Sequence, residues 1–226
     1  MISKSYLLES NINQIDKNLI LFYGENLGLK NDFKSKIKLN NKKIKIINFT
    51  QEEILKNEYF FFSEILNISL FEEEKIFFIN NANDKIIPII QEVEKKTETQ
   101  KIYLFSDILE KKSKLRNYFE KKSICIAVAC YADNEISIKK IILNKLKGFE
   151  GLSSENINLI VNNCNLDRIT LNNELEKIFS YFTNKKINNK ELEKILDIRI
   201  NEGYKFIAYS MDTMHLRQGL ESVFNK

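Results

Sequence analysis

The residues with the clearest potential for chemistry follow the apolar run Leu19–Tyr23. Gly24, Gly28 and Lys30 stand where a nucleotide-binding P-loop would begin, with the pattern Gly-x4-Gly-Lys-Ser/Thr. Here the glycines are four positions apart instead of five, a leucine separates the second glycine from the lysine, and Asn31 replaces the hydroxyl that would hold magnesium. We interpret the segment as a degenerate P-loop, and we expect it to form a tight turn into a helix without binding nucleotide.

A second part of an ATP-hydrolysing site is also missing. The apolar run Lys75–Ile79 is followed by Asn80 and Asn81, where a Walker B strand would end in carboxylates that favour magnesium. No paired carboxylates and no nucleophile–base pair stand out elsewhere, and His215 is the only histidine. We therefore expect no catalytic residues, no metal site and no cofactor.

The segment Ser69-Leu70-Phe71 places large apolar side chains in a connection between a helix and a strand, where polar residues are usual. Ile68 precedes it and three glutamates follow it. One interpretation is a helix end packed onto the core. The other is an exposed plug that fits a pocket of a partner protein.

Composition indicates an ordinary soluble globular protein. The chain has 226 residues, of which 43% are hydrophobic and 29% charged, with a single proline. No apolar run approaches the ~18 residues of a transmembrane helix, and the N-terminus lacks a secretory h-region. We expect a cytoplasmic protein without membrane contact. Its three cysteines, Cys125, Cys130 and Cys164, form no CxxC pair and are expected to be buried thiols.

The net charge of +4 is mildly basic, and only four of the 35 basic residues are arginine. Lysines cluster at Lys42–Lys45, at 111–116 and at Lys139–Lys147. A solvated surface explains each cluster, and attraction to a DNA backbone is the alternative. The residues that we single out as candidates for DNA contact are Lys111, Lys112, Lys114 and Arg116.

Five short apolar runs separated by helical stretches predict an α/β domain with a parallel sheet covered on both faces. From Asp133 to about Asp197 no strand is apparent, so a small helical domain is expected after a boundary near Asp133. Thr50 with Glu53 has the form of a helix capping box, and Asn188 has that of an N-cap. The predicted strands are Leu19–Tyr23, Ile44–Phe49, Lys75–Ile79, Ile102–Phe105 and Ile124–Ala129.

Several segments together resemble the delta subunit of the bacterial DNA polymerase III clamp loader, especially its alphaproteobacterial forms. They keep the order and spacing of that family over about residues 1–197. The matching segments are Leu21–Leu29, Ile68–Phe71, Leu104–Asp107 with Lys112–Arg116, Ala129–Asp133, and Asp167–Arg168 with Asn173–Lys177.

The resemblance implies an AAA+-like, RecA-type domain over residues 1–133 and a small all-helical lid over 134–200. It implies a subunit that binds and opens the sliding clamp during DNA replication, next to ATP-binding loader subunits, without hydrolysing ATP itself. Such a chain is a non-catalytic part of the DNA-directed DNA polymerase holoenzyme, a nucleotidyltransferase. The clamp-binding residues of the family map onto Ile68, Leu70 and Phe71, and Ile68 is the weaker match.

The third, collar-forming domain of the family has no match in this sequence, and residues 201–226 are unassigned. We therefore expect a monomer that joins a loader complex weakly. Two other functions stay open. One is a small P-loop ATPase or kinase, which nucleotide binding would reveal. The other is a DNA-binding module without clamp contact, which strong salt-dependent DNA affinity would reveal.

Overall fold

The computed structural model describes residues 2–12, 15–66, 75–96 and 100–196. The chain divides into two compact units, the first ending at Ala132 and the second beginning at Asp133. The first unit is an α/β layer structure and the second is all-helical over its described residues.

Within the described part of the chain, six parallel strands form one sheet in the order β1-β6-β2-β5-β4-β3. Because neighbouring residues of a strand point to opposite faces, Leu21 packs in one hydrophobic cluster and Phe22 in another on the other face. Both faces are therefore covered, as predicted. The strands are β1 (Ile2–Lys4), β2 (Leu19–Tyr23), β3 (Lys45–Thr50), β4 (Lys75–Asn80), β5 (Lys101–Ser106) and β6 (Cys125–Ala129).

The sequence predicted five of these strands and missed β1. This strand has only three residues, lies at the edge of the sheet and is largely exposed, so it carries no apolar run. Its pairing with β6 aligns Ile2 with Ala127, and that alignment depends on the sheet that the later strands build.

Helices connect the strands of the first unit. The capping box at the start of α3 (Gln51–Lys56) is confirmed: Thr50 Oγ1 accepts from the Glu53 amide at 3.3 Å, and Glu53 Oε2 accepts from the Thr50 amide at 2.7 Å. The helices are α1 (Ser5–Ser10), α2 (Leu27–Asn40), α3 (Gln51–Lys56), α4 (Glu58–Leu66), α5 (Ile87–Lys96) and α6 (Lys114–Lys121).

The apolar pattern of the sequence predicts a helix over Leu109–Phe119, but α6 begins only at Lys114. The reason is a cap that the pattern does not show. The Asp84 carboxylate accepts from the backbone amides of Lys114 and Leu115, and Ser113 Oγ accepts from the amide of Arg116. These bonds satisfy the free N–H groups of the first helical turn at this point.

The second unit contains four helices among its described residues. The spacing of Leu171, Leu175 and Ile178 in the sequence predicts one apolar helical face in its third helix. The structure confirms it, since these side chains are buried in one cluster with side chains from the other three helices. Asn188 caps the last helix through its side-chain oxygen, also as predicted. The helices are α7 (Glu135–Lys145), α8 (Ser154–Cys164), α9 (Arg168–Tyr181) and α10 (Asn189–Ile195).

Candidate functional site

The loop after β2 turns tightly against the end of β6. Gly24 has a φ of +133°, and a Cβ atom placed there would lie 2.2 Å from the carbonyl oxygen of Cys130. No side chain fits in that space, so this position requires glycine. The Gly24 amide donates to the Asp107 carbonyl at 3.1 Å, which joins the loop to the end of β5 as well.

Lys30 lies in the first turns of α2 and is only 4% exposed. Its Nζ donates to the carbonyl oxygens of Gly24 at 2.9 Å and of Ser106 at 2.8 Å, and it lies 3.4 Å from Asp107 Oδ1. The ammonium thus has two buried carbonyl acceptors and lies near one exposed carboxylate. A P-loop lysine directs the same group at a phosphate instead.

A second lysine of α2, Lys34, binds the residue at the end of β4. Lys34 Nζ donates to Asn80 Oδ1 at 2.6 Å and lies 4.4 Å from the centre of the Phe105 ring. Burial, followed by repulsion from Lys30 and Lys38, lowers the pKa of Lys34. The amide at this position therefore binds a lysine of α2, and no carboxylate stands there. No signal in the sequence predicted this pair.

Gly28 is buried in the first turn of α2, next to the capping residue Asn26, whose Oδ1 accepts from the Leu29 amide at 2.9 Å. The structure therefore gathers Gly24, Gly28 and Lys30 at one edge of the sheet. Within the described ranges, no group of three or more His, Cys, Asp or Glu side chains is arranged to hold a metal ion. The three cysteines are buried, as predicted.

Arg116 is engaged inside the protein. Its Nε donates to Glu120 Oε1 at 2.7 Å, an Nη atom donates to the Leu109 carbonyl at 3.1 Å, and its guanidinium lies 5.0 Å from the centre of the Tyr23 ring. Burial is the largest cause of the raised pKa of Tyr23, whose hydroxyl donates to the same carboxylate. Glu120 thus connects α6 to the end of β2.

The lysines near Arg116 are placed differently. Lys111 and Lys112 are exposed in the connection before α6, and Lys112 forms a solvent-exposed ion pair with Glu110 at 2.9 Å. Lys114 lines an open cavity of about 630 Å³ between α5 and α6, together with Lys121 and Tyr118. Basic side chains therefore face solvent on this part of α6, whereas Arg116 turns inward.

The proposed clamp-binding residues Ile68, Leu70 and Phe71 lie outside the described residues. The elements on either side of them are described. Helix α4 ends at Leu66 and β4 begins at Lys75, and an ion pair of 3.7 Å between Lys75 and Glu64 joins the two elements. Lys75 is buried, so its end of the ion pair is shielded from solvent.

Comparison with protein-family models gives no match, and comparison with curated proteins gives none either. Solved structures do match. The Bacillus subtilis DNA clamp loader delta protein superposes with a TM-score of 0.58 at 13% identity, covering 85% of this chain and 62% of that one. Two mutant forms of Thermotoga maritima RuvB give TM-scores of 0.51 and 0.52 at 14% and 15% identity, each covering 86% of this chain and 65% of the other.

The fold of this chain, a parallel α/β domain followed by helices, is similar to the AAA+-like, RecA-like fold of these structures. At these identities the likeness concerns the fold alone. The chain spans less than two thirds of the length of each of these structures. No helix among the described residues is both long and apolar enough to cross a membrane.

Proposed function

We propose that this chain is a clamp-loader subunit of the delta type, which binds and opens the sliding clamp without hydrolysing ATP. The observation that carries the proposal is the likeness of its fold to a clamp loader delta protein. The hydrogen bonds of Lys30 support the proposed absence of ATP hydrolysis, because the lysine that would bind a phosphate is bound to backbone carbonyls instead.

Clamp opening follows from differential affinity. A subunit that binds the open form of a ring more tightly than the closed form raises the open population by that difference alone. The anchors in this proposal are Leu70 and Phe71, with Ile68 beside them. Other loader subunits with intact ATP sites supply the energy of the cycle, and they are the second class of partner that we propose.

The direct test mixes the purified chain with the sliding clamp of its source organism and measures the mass of the complex by light scattering after gel filtration. We expect a stable complex that contains one clamp ring. A clamp labelled across its subunit interface with self-quenching dyes should brighten when the chain is added. Failure to form a complex at micromolar concentrations of both proteins would contradict the proposal.

We predict that the purified chain neither binds nor hydrolyses magnesium–ATP. The ammonium of Lys30 is held by two carbonyls, and the loop amide of Gly24 donates to the carbonyl of Asp107, just after β5. Phosphate would have to displace these bonds. Calorimetric titration and a phosphate-release assay measure the two properties. Micromolar affinity or turnover above background would favour the alternative of a small ATPase or kinase.

DNA contact is proposed as a weak property of the exposed lysines before and in α6. Changing Lys111, Lys112 and Lys114 together to glutamine should lower DNA affinity and flatten its salt dependence, by up to about 0.9 in the logarithmic slope for each phosphate that the variant no longer neutralises. Arg116→Gln should instead lower stability, because its guanidinium contacts Glu120 and the Leu109 carbonyl. An equal decrease of DNA affinity in both variants would contradict this division.

A further inference from the structure

The segment that ends the first unit is hydrogen-bonded to the loop that follows β2. The Asn26 amide donates to the Cys130 carbonyl at 3.0 Å, and its Nδ2 donates to the Tyr131 carbonyl, also at 3.0 Å. Glu25 Oε1 accepts from the Ala132 amide at 3.0 Å. Two neighbouring loop residues thus hold three consecutive residues, 130–132, which we call the connecting segment.

The bond to Glu25 is made by an ionised carboxylate. The hydrogen bond from the Ala132 amide is the largest cause of the lowered pKa of Glu25, so the carboxyl group stays charged at neutral pH. Bonds to a charged acceptor are stronger than bonds between neutral groups. The loop therefore holds the connecting segment through one charge-assisted bond and two neutral ones.

The first residue of the second unit, Asp133, is bound inside that unit. Asp133 accepts from Arg168 through two bonds of 2.7 Å, from Nε to Oδ2 and from an Nη atom to Oδ1. It also accepts from Ser137 Oγ at 2.7 Å. The Arg168 and Asp133 side chains are only 3% and 5% exposed, and paired bonds of this kind fix orientation as well as distance.

In a phosphate-binding loop, backbone amides are left free to face the ligand. Here the amide of Gly24 donates to the Asp107 carbonyl and that of Asn26 donates to the Cys130 carbonyl. These two amides therefore bind carbonyl groups of the protein and not a ligand. The loop thus binds the connecting segment directly, and that segment leads into the second unit.

We propose that Glu25 and Asn26 form a clasp that holds the connecting segment to the first unit without any nucleotide. Asp133, the next residue, is held by Arg168 within the second unit, so the clasp acts on the backbone on the first-unit side of the Ala132–Asp133 bond. The degenerate loop has a structural task of its own in this view. The clasp is a property of the first unit that does not depend on clamp binding.

Asn26 has two tasks, and substitutions separate them. Its Oδ1 caps α2 by accepting from the Leu29 amide, whereas its Nδ2 holds the connecting segment. Asn26→Ser keeps a capping oxygen and removes the Nδ2 donor, because serine is as good a cap as asparagine. Glu25→Ala removes the other bond. Asn41→Ala is the matched control, since it removes an Nδ2 bond to the Ile37 carbonyl at the opposite end of the same helix.

The experiment measures amide hydrogen exchange and the distance distribution between the units on the full chain. Spin labels are placed at Lys38→Cys and Lys147→Cys, both exposed positions, and the native cysteines are buried. We expect Asn26→Ser to speed exchange of the Ala132 amide by about five- to tenfold, which is the effect of one missing hydrogen bond. This increase is expected even though the substitution leaves the bond from that amide to Glu25 in place. Both clasp variants should widen the distance distribution.

Asn41→Ala should leave both readouts as in the parent, and protection of the α2 amides should persist in Asn26→Ser. Magnesium–ATP should change neither readout. The proposal is overturned if the Ala132 amide exchanges at the parental rate in Asn26→Ser, if the distribution keeps its width in both clasp variants, or if ATP narrows the parental distribution.

Discussion

Replacing Lys30 by methionine is expected to lower the free energy of unfolding of the first unit by about 3 kcal/mol. Methionine keeps most of the side-chain volume and removes the ammonium. The carbonyls of Gly24 and Ser106 are then left without their buried donor, and an unsatisfied buried acceptor costs about 1–3 kcal/mol. Urea denaturation followed by circular dichroism measures the difference.

Lys38→Met is the control for this substitution, because Lys38 is exposed in the last turn of the same helix. Its effect should stay within about 0.5 kcal/mol, as is usual for surface positions. Equal stability of the two variants would mean that the internal bonds of Lys30 contribute little. In that case the lysine would be available to a ligand, and the nucleotide-binding alternative would gain support.

Leu70→Ala combined with Phe71→Ala is expected to weaken clamp binding by at least ~2 kcal/mol, a roughly thirtyfold rise in the dissociation constant. Large apolar anchors in a partner's pocket contribute most of the binding energy in many interfaces, and both anchors are removed here. Titration of the labelled clamp with parent and variant chains gives the two constants.

Tyr59→Ala is the control for the clamp variant. Tyr59 lies on α4, is 86% exposed and is outside the proposed motif, so its removal should leave clamp affinity unchanged. Parental affinity in the double variant would disprove the assignment of Leu70 and Phe71. Loss of the folded state in that variant would instead support the other interpretation, a helix end packed onto the core.

The fold class was predictable because its signals are local. A buried parallel strand such as β2 is a continuous apolar run, and the Thr50–Glu53 capping box spans four residues, so both are visible in a short window of sequence. Strand β1 and the start of α6 were not predictable in this way. β1 depends on pairing with β6, and α6 on a carboxylate thirty residues earlier in the chain.

The candidate site shows the same division. The sequence alone shows that the loop after β2 lacks the spacing and the hydroxyl of a P-loop, since a P-loop is defined by residues that are close together in the chain. It did not determine what Lys30 does instead. The acceptor in Ser106 is 76 residues away, and the carbonyl that Asn26 Nδ2 binds is 105 residues away. Only a sheet that places β2 between β5 and β6 brings these groups within hydrogen-bond distance, because the carboxyl ends of parallel neighbours meet at one edge.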